Sequence, residues 1–221
     1  MRTGDYELSI SEMAAALAHE VRNPLGLAMV NIGVLEGELT AADKARISSI
    51  RSELYRINEI VSKFTDIVSM LKEHGETEFR GFVDEAITPF ITAYNSRVNF
   101  NVFTPNNLTV KIPKNALGII FNNIIKNAVE AVMDSKPECG EIGISVEIVQ
   151  EMAVICVNDN GKGLSVYEME KALISGFTTK KSGMGVGLHV SLLLAKRYGG
   201  SLDIYGEENN GCTVTLKIPI A

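Results

Sequence analysis

The chain has 221 residues, is 46% hydrophobic and 22% charged, and carries a formal net charge of −6. That is enough chain for one or two folded domains, with the composition of an ordinary globular protein. The acidic balance argues against nucleic-acid binding, since phosphate backbones select basic surfaces, and no run approaches the roughly 18 apolar residues of a membrane span.

Three cysteines, Cys139, Cys156 and Cys212, lie far apart and form no C-x-x-C pair. They fit neither a zinc cage nor a disulfide framework, which points to a reducing, cytoplasmic setting. The start of the chain lacks the apolar core of a signal peptide. A membrane anchor is therefore expected only in an N-terminal region outside this sequence.

Two amphipathic segments come first. Ala14, Leu17, Val21, Leu25, Ala28, Ile32 and Leu35 form a stripe on one helix. Ile47, Ile50, Leu54, Ile57, Val61, Phe64, Val68 and Leu71 alternate threes and fours along a second, as a coiled-coil seam does. The short connection Gly37–Asp43 forces an antiparallel hairpin. Two helices alone leave much of this surface wet, so either two copies pair into a four-helix bundle or the hairpin packs on its own chain.

A polar break follows at Glu73-His74-Gly75-Glu76, and residues 74–80 are expected to link two domains, 1–74 and 75–221. Gly81 to Asn95 looks helical, with Pro89 expected to kink or break it. Strand patterns follow at Val98–Phe103, Leu108–Ile112, Ile142–Val149, Met152–Val157, Ser201–Tyr205 and Thr213–Ile218. Helical patterns cover Lys114–Met133 and Gly187–Tyr198, and a tight turn falls near Gln150-Glu151. Strands and helices mixed in this way predict an α+β sandwich, with helices over one face of a sheet.

His19 stands on the wrong face of its helix. At 100° per residue the apolar stripe is centred about 160° away, so the imidazole points outward beside Glu20 and shares its face with Asn23. Pro24 should kink the helix and free a carbonyl near residue 20. Geometry alone leaves two readings, an idle surface histidine or a nucleophile whose neighbouring carboxylate takes the ring proton.

Glycines concentrate late in the chain. Asp159-Asn160-Gly161-Lys162-Gly163 follows a strand, and Gly183-Met184-Gly185-Val186-Gly187 precedes a helix. Such glycines either make turns or let backbone N–H groups approach phosphate oxygens at a helix N-terminus. No Gly-Lys-[Ser/Thr] follows, so this is not a Walker A loop. Asn123 and Asn127, four apart among isoleucines, form either a structural hydrogen-bond network or a carboxamide pair offering oxygens to Mg²⁺.

The run Ala14 to Leu25, with Ala18-His19-Glu20-Val21-Arg22-Asn23-Pro24-Leu25 at its centre, resembles the phosphoacceptor motif of sensor histidine kinases. Asn123-x-x-x-Asn127-Ala128, Asp159-x-Gly161-x-Gly163 and Gly183-x-Gly185-x-Gly187-Leu188 resemble, in order, the motifs of the GHKL-type ATPase domain of histidine kinases, gyrase and MutL. Gly176-Phe177-Thr178-Thr179-Lys180 resembles the lid motif between them. The resemblance runs over residues 9–220. It implies a dimeric helical hairpin carrying the phosphoacceptor, followed by an α/β-sandwich ATP-binding domain.

By that resemblance His19 is the phosphoacceptor, Glu20 its general base, and Asn23 a residue that orients water for dephosphorylation of a partner. Asn127 would coordinate Mg²⁺, with Asn123 supporting the same site. Asp159 would accept from the adenine amino group, and Gly161 and Gly163 would shape its pocket. Gly185, Val186, Gly187 and Leu188 would present amides to the phosphates, and Lys180 would reach them from the lid. Met184 and Val186 replace the commoner Thr and Leu. Glu130 stands where many relatives place a lysine or arginine, a role that Lys126 would fill. The implied activity is autophosphorylation from Mg·ATP, transfer to an aspartate of a response-regulator receiver domain, and reverse phosphatase activity. Its competitors are a GHKL-type ATPase that phosphorylates no histidine and a degenerate phosphotransfer scaffold.

Overall fold

The computed structural model describes residues 73–94, 96–135, 139–180 and 185–221, together with scattered positions between 21 and 57. The chain divides into two compact units, Met1–Lys72 and Glu73–Ala221.

In the first unit the described positions are helical, among them Val21, Pro24, Ala28, Ile47, Ile50, Leu54 and Ile57. Ala28 is buried, whereas Ile47 and Leu54, two residues of the heptad seam, are 39% and 52% exposed. Asp43 is buried and pairs with Arg46 at 3.6 Å. His19, Glu20, Asn23 and most of the Gly37–Asp43 turn lie outside the described residues.

The second unit runs β1 (Thr77–Glu78), α1 (Phe79–Tyr94), β2 (Val98–Phe103), β3 (Thr109–Val110), α2 (Lys114–Ser135), β4 (Gly140–Val149), β5 (Met152–Asp159), α3 (Val166–Lys171), α4 (Gly187–Arg197), β6 (Ser201–Gly206) and β7 (Cys212–Pro219). Five strands form one sheet in the order β2-β4-β5-β7-β6, parallel only between β2 and β4. β1 and β3 form a separate antiparallel pair. This is the α+β sandwich that the alternating strand patterns predict.

Alternation decides which face is covered. Ile142 and Ile144 of β4, Ala153, Ile155 and Val157 of β5, and Val214, Leu216 and Ile218 of β7 are all buried. The register places them opposite one another, as in the row Ile144, Val157 and Val214, so they share one side of the sheet. That side packs on α2 and α4, which contribute Leu117, Ile120, Phe121, Ile124, Ile125, Leu193 and Leu194. Phe79 and Phe82 of α1 meet Phe121 edge-on at 5.6 and 5.1 Å between centroids, a favoured geometry for buried rings.

Several expectations change. α1 passes through Pro89 without ending. The lost amide bond is one of many in a helix held by the packing of Phe79, Phe82, Val83 and Ile87. Residues 77–80 are not a linker. Thr77 is buried with its hydroxyl donating to the Ile112 carbonyl at 2.6 Å, and Phe79 is fully buried. The strand expected over Leu108–Ile112 shrinks to Thr109–Val110, continued by a bridge from Val110 to Ile220. α2 meets the length and hydropathy of a membrane span, contrary to the opening expectation. Its apolar residues instead form the core of this unit.

Candidate functional site

α2 organises the site. Asn123, Asn127, Glu130 and Ala131 recur at helical spacing on the face that meets the glycine-rich segments. Each distant motif touches that face at a different level.

At the first level, Asn123 Nδ2 donates to the Gly187 carbonyl at 3.0 Å and to Ser191 Oγ at 3.1 Å. Ser191 is fully buried and its hydroxyl also donates to the Gly187 carbonyl at 3.0 Å. Asn123 therefore ties α2 to the start of α4. The packing at Gly187 is close, since a Cβ there would stand 3.1 Å from Asn123 Oδ1. Val186 precedes α4 with no side-chain cap. Among the described residues no side chain caps α4, and its opening amides, those of Gly187 and Leu188 included, lie at the positive end of the helix dipole.

One turn along, Lys180 Nζ donates to Asn127 Oδ1 at 2.8 Å and to Glu130 Oε2. Lys126 also faces Glu130, at 4.0 Å. The basic group beside Glu130 is thus chiefly Lys180, from fifty residues downstream. Neither periodicity nor motif spacing points to that pairing.

At the third level the Asp159 loop docks. Lys162 N donates to the Ala131 carbonyl at 3.3 Å, and a Cβ on Gly161 would stand 2.5 Å from the Ala131 carbonyl carbon. Gly163 adopts φ +66°, and a Cβ there would overlap the Glu207 carbonyl. Only glycine fits both positions.

Asp159 is the last residue of β5 and lies opposite Ile142 and Cys212. It extends the buried row Ala153, Ile155 and Val157 with a carboxylate on the helix side of the sheet. Burial pushes its carboxyl up to about 6, against the opposing pull of amide hydrogen bonds from Gly161, at 2.9 Å, and Cys212. Burial, with the Asp159 charge adding to it, pushes the Cys212 thiol up to about 12.

The segment between the loops has structure of its own. Ser165 caps α3 in a reciprocal box with Glu168, whose carboxyl is lowered by the amide and hydroxyl of Ser165. The Ser-x-x-Glu spacing carries that signal in the sequence. Gly176 N donates to the Gly185 carbonyl at 3.1 Å, and Gly185 has φ +68° with no room for a Cβ beside Gly176 and Phe177. His189 Nδ1 lies 2.9 Å from the Leu173 carbonyl.

Two family profiles match the chain: "His Kinase A (phospho-acceptor) domain" over residues 9–73 and "Histidine kinase-, DNA gyrase B-, and HSP90-like ATPase" over 113–221. The chain is a histidine-kinase catalytic core. Sporulation kinase D of Bacillus subtilis is 33% identical over 96% of the chain and 42% of its own length. Sensor histidine kinase ZraS of Escherichia coli is 25% identical over 100% of the chain and 48% of its length. The catalytic domain of histidine kinase ThkA superposes with a TM-score of 0.58 and 26% identity, covering 66% of this chain and 95% of that domain. ThkA crystallised with the response regulator TrrA covers the whole chain at a TM-score of 0.66 and 22% identity, over 65% of that structure. The core spans half or less of the length of the first curated relatives it matches. Of the site residues read from the sequence, the structure gathers Asn123, Asn127, Asp159, Gly161, Gly163, Lys180 and the Gly185–Leu188 segment around α2. His19, Glu20 and Asn23 lie outside the described residues.

Proposed function

We propose that the chain binds Mg·ATP on the α2 face, phosphorylates His19, and passes the phosphoryl group to an aspartate on a response-regulator receiver domain. The observation that carries this reading is the convergence of three separate motifs on the helix that carries a fourth, in a chain whose residues 9–73 match the phosphoacceptor profile.

Asp159 accepts from the adenine amino group, and the glycines at 161 and 163 leave room for the base. The uncapped amides of Gly187 and Leu188 face the phosphates. The metal site is tested by what Asn127 already does, since its amide oxygen takes an ammonium at 2.8 Å and so suits a hard cation. Asn127 would hold Mg²⁺, which when bound neutralises charge on the triphosphate. An imidazole nitrogen of His19 attacks the γ-phosphorus as the bond to ADP breaks, and Glu20 takes the ring proton. Positioning supplies most of the rate. Asn23 orients water in the reverse phosphatase reaction.

Residues 1–74 act as the dimerisation and phosphotransfer hairpin and 75–221 as the ATP-binding domain, in a cytoplasmic setting. The exposed Ile47 and Leu54 on the heptad seam support pairing of two copies. The deciding experiment incubates the chain with [γ-³²P]ATP. Label that is acid-labile and base-stable, and that disappears in His19→Gln while nucleotide binding persists, is the expected result. ATP turnover with no such label favours an ATPase that phosphorylates no histidine.

A further inference from the structure

The oxygen proposed for the metal already carries a cation. Lys180 Nζ sits on Asn127 Oδ1 at 2.8 Å and on the Glu130 carboxylate. The Lys180 and Glu130 side chains are 32% and 37% exposed, so solutes can reach the pair. An ordinary surface ion pair of this exposure has no consequence beyond a small stability gain. This one differs in its third member. Asn127 and Glu130, one helical turn apart, present an amide oxygen and a carboxylate together, a set that an ammonium and a hard divalent ion both favour. Asn123, a turn away, instead turns its Nδ2 to the Gly187 carbonyl and Ser191 Oγ.

We propose that Lys180 is an internal counter-cation that competes with Mg²⁺ for Asn127 Oδ1, and that Glu130 is the anchor holding the ammonium there while nucleotide is absent. The inference rests on the reading that Mg·ATP binds at this face. Two cations cannot share one carbonyl oxygen without strong repulsion. Entry of the metal–nucleotide therefore moves Lys180 off Asn127, and the freed ammonium finds the γ-phosphate, which ADP lacks, as its new anion. Glu130 is a positioning residue. It sets how much metal binding must overcome, and it explains why an acid is useful where the resemblance leads one to expect a base.

The sign of one effect separates this from simple charge attraction. A lysine that only attracts nucleotide predicts that Lys180→Met weakens every complex. The competition predicts that the same change tightens ADP in the presence of Mg²⁺ by about three- to tenfold and leaves ADP in EDTA unchanged within about twofold. Calorimetric titration of the full chain with ADP, in both buffers, reads this directly. A second arm needs no nucleotide. In Glu130→Gln, acetylation of Lys180 by an amine-reactive reagent, followed by mass spectrometry with Lys114 as reference, should accelerate severalfold. Weaker or unchanged Mg·ADP binding in Lys180→Met, or unaltered Lys180 labelling in Glu130→Gln, overturns the inference alone. A wild-type chain that binds no adenine nucleotide in either buffer overturns the nucleotide reading and the inference with it.

Discussion

Replacing Asp159 with asparagine should stabilise the protein and weaken its nucleotide binding, with both effects tied to pH. The carboxyl sits in the buried row of β5 and is pushed up from 3.8 to about 6. A shift of about two units corresponds to about 3 kcal/mol, less some discount for the solvent the group retains. Between those values the folded chain holds a proton that the unfolded chain has released. Stability therefore falls as pH rises from about 4 to 6, then levels off with the cost of a buried charge fully present. The asparagine keeps an acceptor for the Gly161 amide but never ionises, so its unfolding free energy should lack this fall. The two proteins should match near pH 4 and diverge by about 2–3 kcal/mol at pH 7.5, in urea unfolding followed by circular dichroism. Nucleotide affinity should run the other way. It rises in the wild type as Asp159 ionises, and at pH 7.5 it drops about tenfold or more in the variant, which lacks the charged acceptor proposed for the adenine amine. Equal stability at pH 7.5, or a wild-type curve flat from pH 4 to 7, would refute the argument.

Gly163→Ala should destabilise the second unit by about 2 kcal/mol or more, since the residue sits at φ +66° with the Glu207 carbonyl where a Cβ would go. Its urea midpoint should fall even without nucleotide, and a midpoint within experimental error of wild type contradicts the cradle. Cys212 should resist iodoacetamide at pH 8 in the folded protein, because its thiol is pushed up to about 12. Exposed Cys139 should be alkylated first under the same conditions, as peptide mapping would show.

Much of this was legible in the sequence where period and spacing carry the signal. The alternation in Ile142–Val149, Met152–Val157 and Thr213–Ile218 marks the sheet and its buried face, because one covered side leaves a two-residue rhythm. Asn123, Asn127, Asp159 and the paired glycines stand out by motif. Short or packing-driven features do not. β1 has two residues and α3 six, too few for any period, and α1 crosses Pro89 because its aromatic face outweighs one lost amide bond. The apolar length of α2 passes for a membrane span because a buried helix and a lipid-facing one share a composition. The Lys180–Glu130 contact joins residues fifty apart, and Asn123 and Ser191 meet across 68 positions. Only tertiary structure brings such pairs together.

α2 also serves as a ruler. From Asn123, which fixes the start of α4, to Ala131, which receives the Asp159 loop, is eight residues, or about 12 Å of helix at 1.5 Å each. That stretch sets the gap between the donors at one end of the site and the buried carboxylate at the other. A single inserted residue would lengthen it by about 1.5 Å and also swing one end round by about 100°. The interval from 123 to 131 is fixed in register, so evolution or design can alter its residues but not their number.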